Sequence, residues 1–139
     1  NDRVKNVDFD WDKVLSFEGD SGPFVQYGHV RCVSILKKYG KDVPLKFSME
    51  LSSKEERELI GKLLNFPETL RSSFQHFKPH ILAGYLLDVC RTFSQFYHNN
   101  RILGEPTQIE SSRMVLVSCT QKVLAQGLKV LNIAAPDAM

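Results

Sequence analysis

The sequence predicts an all-α protein, a helical bundle of about five to six helices, and three observations carry that prediction. Apolar residues recur at i, i+3, i+4 and i+7 through several long windows. Pro23, Gly40, Ser53, Pro67 and Pro79 stand where such windows begin or end. No stretch alternates apolar and polar residues as a half-buried strand would, and no hairpin turn competes. With 139 residues, 42% hydrophobic and 24% charged, the chain is one domain able to bury its own core.

The elements follow in order. Segment 9–17, FDWDKVLSF, spaces Phe9, Trp11, Val14, Leu15 and Phe17 for a short helix. A second helix runs from Pro23, whose missing N–H is harmless in a first turn, to Tyr39, with Gly40 as a left-handed stop. Residues 41–51 form a linker without a period. Ser53 and Glu56 then have the spacing of a capping box, each able to satisfy the other's backbone N–H. Behind them Leu59, Ile60, Leu63 and Leu64 share one face. Pro67 breaks or restarts that helix, and a shorter one over 68–77 carries Leu70 and Phe74. Pro79 opens the most periodic stretch, to about His98, with a wide stripe of Ile81, Leu82, Tyr85, Leu86, Val89, Cys90, Phe93, Phe96 and Tyr97. Residues 99–108 connect it to a last long helix over about 109–131, burying Val115, Leu116, Val123, Leu124, Leu128 and Leu131. A short tail ends at Met139.

Composition excludes several classes of function. No apolar run is long enough to span a membrane, and the polar first residues do not read as a signal peptide. Cys32, Cys90 and Cys119 are odd in number and far apart, which predicts reduced core thiols in an intracellular protein. His29, His76, His80 and His98 have no metal-ligand spacing with them, so no metal site is expected. Phosphate-cradling glycine loops, nucleophile elbows and zinc-protease motifs are all missing. Asp8, Asp10 and Asp12 read as helix caps and dipole partners. Cys32 near His29 suggests a nucleophile and its base, but Cys32 falls on the core side of its helix. No catalytic residue is expected.

Net charge is only +2, yet it is unevenly spread. Residues 21–49 hold five bases against one acid, and residues 69–104 hold four against one. Two positive blocks could converge into one patch that attracts a polyanion, or remain separate solvated faces. The stretch SGPFVQYGHVR sharpens the question. Phe24, Tyr27 and Arg31 stand at i, i+3 and i+7 on one helical face, with Gln26, Val30 and Lys37 along a neighbouring one. Helix 79–98 ends in a similar mixture, Phe96, Tyr97, His98, Asn99, Asn100 and Arg101. Single-stranded RNA is recognised with this combination: aromatics or guanidinium planes to stack on, polar groups for base edges, and cations for phosphate. The competing readings are a plain core with Arg31 paired to an acid such as Asp12, or a helical protein–protein interaction module.

DFDWDKVLSFEGDSGPFVQYGHVRCVSIL resembles the stretch that joins the catalytic core of arginyl-tRNA synthetases to their C-terminal anticodon-binding domain, of the DALR type. That family shows F-D-x-x-x-x-L-S-F-x-G-x-x-G-P-Y-x-Q-Y-x-x-x-R there. LLNFPETL, PHILAGYLLDVCRTFSQFYHNNRIL and SSRMVLVSCTQKVLAQGLKVLNIAAPDAM extend the resemblance over essentially the whole chain. It implies the all-helical anticodon-binding domain of a class I aminoacyl-tRNA synthetase, with residues 1–20 as the junction to the catalytic domain and 21–139 as the bundle. The implied partners are arginine tRNA, through its anticodon loop and chiefly its middle cytosine, and the catalytic domain of the same parent chain. A monomeric, cytoplasmic or organellar protein is expected, with no membrane partner. ATP and Mg belong to the parent, an arginine–tRNA ligase. The H-I-G-H and K-M-S-K-S signatures are absent here, so this stretch alone should have no ligase activity and needs no cofactor.

Carried over residue by residue, the resemblance assigns Gln26, Tyr27, Arg31, Tyr97, Arg101 and Met139 to the RNA. Cytosine offers an N4 amino donor, so a backbone carbonyl near the C-terminus could accept it, while Arg31 or Gln26 donates to the base's acceptors. Three positions depart from the family pattern. Phe24 replaces the usual tyrosine, Gly28 a common alanine, and the tail lacks an arginine before its last methionine.

Overall fold

A computed structural model describes Trp11, residues 20–44 and residues 53–139. The helix expected over 9–17 lies outside these residues except for Trp11, which is exposed. Asp8, Asp10, Asp12 and most of the 41–51 linker also fall outside them. The described residues form five helices: α1 (Gly22–Tyr39), α2 (Lys54–Leu64), α3 (Phe66–Gln75), α4 (Pro79–Asn99) and α5 (Thr107–Val130).

Local chemistry sets their ends. The Ser21 hydroxyl accepts the Phe24 N–H at 3.2 Å to start α1, and Gly40 stops it at φ 65°. The capping box on α2 forms as expected: Ser53 Oγ accepts the Glu56 N–H at 3.1 Å, and Glu56 Oε2 accepts the Ser53 N–H at 2.8 Å. Pro67 stands in the first turn of α3 and restarts the helix rather than ending the run. At the end of α5, Asn132 adopts φ 58° while the N–H of Asn132 and of Ile133 reach Lys129 O and Leu128 O. This Schellman turn satisfies the last carbonyls and folds residues 132–139 back onto the bundle.

α4 lies at the centre, packed against α1, α2, α3 and α5, while α5 also covers α1 and α2. One core layer gathers Cys32, Leu59, Phe93, Phe96, Met114 and Val117; another gathers Val25, Leu82, Leu86, Val89, Cys90, Leu124 and Leu128. The α1–α4 and α4–α5 contacts are close enough to require glycine. A Cβ on Gly28 would meet Cys90 Sγ at 2.7 Å, and one on Gly127 would meet Leu86 Cδ2 at 2.4 Å. That accounts for glycine at 28 where alanine was the family expectation.

Several expectations need correction. Leu64, at the edge of the face it shares with the buried Leu59, is exposed, and so is Phe74, because only one side of α2 and α3 is covered by α4. Tyr97 is at the rim of its stripe, 44% exposed. On α5, Val115, Val123 and Leu131 are only half-buried, whereas Met114, Val117 and the unforeseen Arg113 and Thr120 are fully inside. Cys32 and Cys90 are core thiols, but Cys119 is exposed. Burial pushes the Cys90 thiol up to about 12 and Cys32 higher still, so neither is a nucleophile.

Candidate nucleic-acid interface

The mixed face of α1 separates into two rows with different tasks. Tyr27 and Arg31, four residues apart, point to the same side and meet Tyr97 from the last turn of α4. The Arg31 guanidinium carbon lies 4.8 Å from the Tyr27 ring centre and 5.2 Å from that of Tyr97. The cation therefore bridges two aromatic faces, each contact worth about 0.5–1 kcal/mol at an exposed site. Phe93, buried one turn earlier, backs Tyr97 with ring centres 6.4 Å apart. Both tyrosines remain open, at 42% and 44% exposure, so each ring keeps surface for a further stacking partner. Among the described residues Arg31 has no carboxylate partner.

Beside this stack runs a cleft of about 390 Å³ lined by Ile35, Lys38, Tyr97, His98, Arg101 and Leu103, among others. Arg101 is anchored through Nε, which donates to Leu103 O at 3.1 Å, and its guanidinium packs over Gly104. Gly104 has φ 82°, and a Cβ there would lie 3.0 Å from Arg101 Nη2. The two positive blocks of the sequence thus meet: Arg31 and Lys38 come from one, Arg101 from the other. Lys38 was not singled out from sequence, because it carries no motif; His98 was named there only as a member of the cluster that ends its helix.

Deeper support comes from a buried ion pair. Arg113 Nε donates to Glu56 Oε1 at 2.6 Å, its Nη1 to Arg101 O at 2.6 Å, and its Nη2 to Asn100 Oδ1 at 3.3 Å. Glu56 is fully buried, and the same carboxylate completes the α2 capping box. Arg113 thus ties α2 and α5 to the segment that presents Arg101.

The second row of α1 turns toward the tail. Gln26 Nε2 donates to Ala134 O at 2.8 Å, so one of its two amide N–H groups is engaged within the protein. Met139 is 60% exposed, three residues beyond the last side-chain-anchored carbonyl. The structure therefore joins Tyr27, Arg31 and Tyr97 in one stack with Arg101 beside it, and links Gln26 to the tail. Among the described residues no three of His, Cys, Asp or Glu come together as metal ligands would. None of the helices described is long and apolar enough to cross a membrane.

The DALR anticodon binding domain family matches residues 25–139. This chain belongs to that family. It is 35% identical over its whole length to the arginine–tRNA ligase of Clostridioides difficile, of which it spans 25%. The arginyl-tRNA synthetase structure from Thermus thermophilus superposes with a TM-score of 0.85 at 37% identity, covering 97% of this chain and 24% of that one. The arginyl-tRNA synthetase of Plasmodium falciparum gives 0.83 at 28% identity, over 94% of this chain and 23% of its own. The chain thus spans about a quarter of the length of these relatives, as a family domain within larger proteins.

Proposed function

We propose that this anticodon-binding domain reads the anticodon loop of arginine tRNA through the Tyr27–Arg31–Tyr97 stack, for an arginine–tRNA ligase of which it is one part. The observation that carries the reading is that stack: two open aromatic faces about a guanidinium with no carboxylate partner among the described residues, beside a cationic cleft. Unstacked bases lie on the free faces of Tyr27 and Tyr97, and Arg31 supplies a planar edge of N–H donors to base acceptors or phosphate. Arg101 and Lys38 take the flanking phosphates. The carbonyls of the tail near Met139 offer acceptors for the N4 amino group of a middle cytosine, with Gln26 acting through the tail rather than on the base. ATP and Mg serve the parent's adenylation chemistry, outside this chain, and no step here runs through them.

Tyr27→Ala and Tyr97→Ala are each expected to weaken binding to an arginine anticodon stem-loop by about 1–3 kcal/mol, the worth of a base–aromatic stack. Affinity should also fall steeply with salt, and its slope should flatten in Arg101→Ala. Fluorescence anisotropy over a salt series checks both. Undiminished RNA affinity in the tyrosine variants would remove the stack from the reading. A protein–protein module remains the second reading, favoured by the exposure of Leu64 and Phe74 on α2 and α3 and of Phe77 in the turn after α3. Salt-independent binding would favour it.

A further inference from the structure

The His29 imidazole is only 2% exposed, yet it makes two polar contacts, one with the tail and one with α5. Its Nδ1 lies 2.9 Å from Pro136 O, and its Nε2 lies 2.8 Å from Gln121 Nε2 on α5. A carbonyl can only accept, so the ring proton is on Nδ1 and Nε2 accepts from the Gln121 amide. Gln121 thereby selects the tautomer that can hold Pro136. One turn earlier Gln26 donates to Ala134 O at 2.8 Å, and between the two anchored carbonyls Ala135 packs on the Val25–Leu86–Leu124 core layer. The Schellman turn at Asn132 delivers the chain to this position.

We infer that Gln26, His29 and Gln121 form a clasp of positioning residues that docks the tail along α1 and sets where its last three residues lie. Ala134 sits at Gln26 and Pro136 at His29, so the tail runs in the same direction as the helix. Three further residues extend by at most about 10 Å, and Arg31 is only about 3 Å farther along the axis than His29. Residues 137–139 thus have the reach to lie level with Arg31, where the row of Gln26 and Val30 borders that of Tyr27 and Arg31. Two side chains hold this segment by donating to alternate carbonyls, those of Ala134 and Pro136. Its consequence for base choice rests on the proposed anticodon reading; the docking itself does not.

The test uses the 139-residue chain in four forms: unchanged, Gln26→Leu, His29→Leu and His29→Asn. Asparagine places an amide N–H where Nδ1–H stood, so it should rescue the Pro136 contact that leucine removes. Gln26 is half-buried, so its leucine variant keeps the test valid if His29→Leu fails to fold. Amide relaxation at Ala134, Ala135 and Asp137 should give order parameters of about 0.85 in the unchanged chain and below about 0.6 in the leucine variants. His29→Asn should restore them. Preference for cytosine over uracil at the middle position of the stem-loop should fall about tenfold with the leucine variants and return with asparagine. Unchanged order parameters in both leucine variants would overturn the clasp. A loosened tail with intact cytosine preference would overturn its positioning role. If the unchanged chain shows no cytosine preference, the anticodon reading fails, and the order parameters alone then uphold or overturn the clasp.

Discussion

Replacing Arg113 with methionine is expected to cost about 3–5 kcal/mol of stability, because it takes a cation away from a buried carboxylate. Glu56 is 0% exposed, and Arg113 Nε meets its carboxylate at 2.6 Å. Methionine approximates the stem of the side chain, so lost packing is small and lost charge compensation dominates. Asn100 Oδ1 and Arg101 O lose donors as well. Adding Glu56→Gln should recover more than half of the loss, since a neutral amide oxygen can still accept the Ser53 N–H of the capping box. Urea denaturation of the single and double variants measures this. A single-variant loss below about 1 kcal/mol would mean that water reaches Glu56 and that the pair is not the support proposed for Arg101.

Leu124→Ala should cost about 2–5 kcal/mol, the range for emptying a leucine site in a packed core. Leu124 is fully buried where α5 meets α1 and α4, next to Gly28 and Cys90, so the backbone on either side has little room to collapse into the cavity. The variant separates packing from recognition. Where it still folds, its affinity for the stem-loop should match that of the unchanged chain, because Leu124 touches neither open tyrosine face. Tyr97→Ala should show the reverse pattern, with a small shift in the denaturation midpoint and a large loss of RNA affinity. If Tyr97→Ala destabilises the fold as much as Leu124→Ala does, Tyr97 is core and not a stacking platform.

What the sequence reveals and what it hides follow from distance along the chain. The capping box at Ser53 and Glu56, the restart at Pro67 and the stop at Gly40 are local devices, and each forms as its spacing predicts. The Tyr27–Arg31 pairing is also local, one helical turn. Its meeting with Tyr97 is not, and only the two similar aromatic–cationic clusters hinted at it. The Arg113–Glu56 pair has no signature at all, since its members are 57 positions apart and Glu56 already had a local role. The same holds for the tail contacts: Gln26 and Ala134 are 108 positions apart. The polar residues that look out of place in a buried turn, Gln26 and His29, were the available signal. Their partners in the tail are backbone carbonyls, which no residue type announces. Leu64 and Phe74 mislead for the opposite reason: periodicity reports which residues share a face, not whether another helix covers it.

The central claim is that the Tyr27–Arg31–Tyr97 stack is the RNA-reading face, and an NMR titration tests it most directly. Labelled chain would be titrated with the anticodon stem-loop of an arginine tRNA while backbone, aromatic and guanidinium signals are followed. The account predicts that the largest shifts fall on Tyr27, Arg31 and Tyr97, with Arg101 close behind, while Leu64, Phe74 and Phe77 stay unmoved. Largest shifts on Leu64, Phe74 and Phe77, or no saturable shift at the stack, would contradict it.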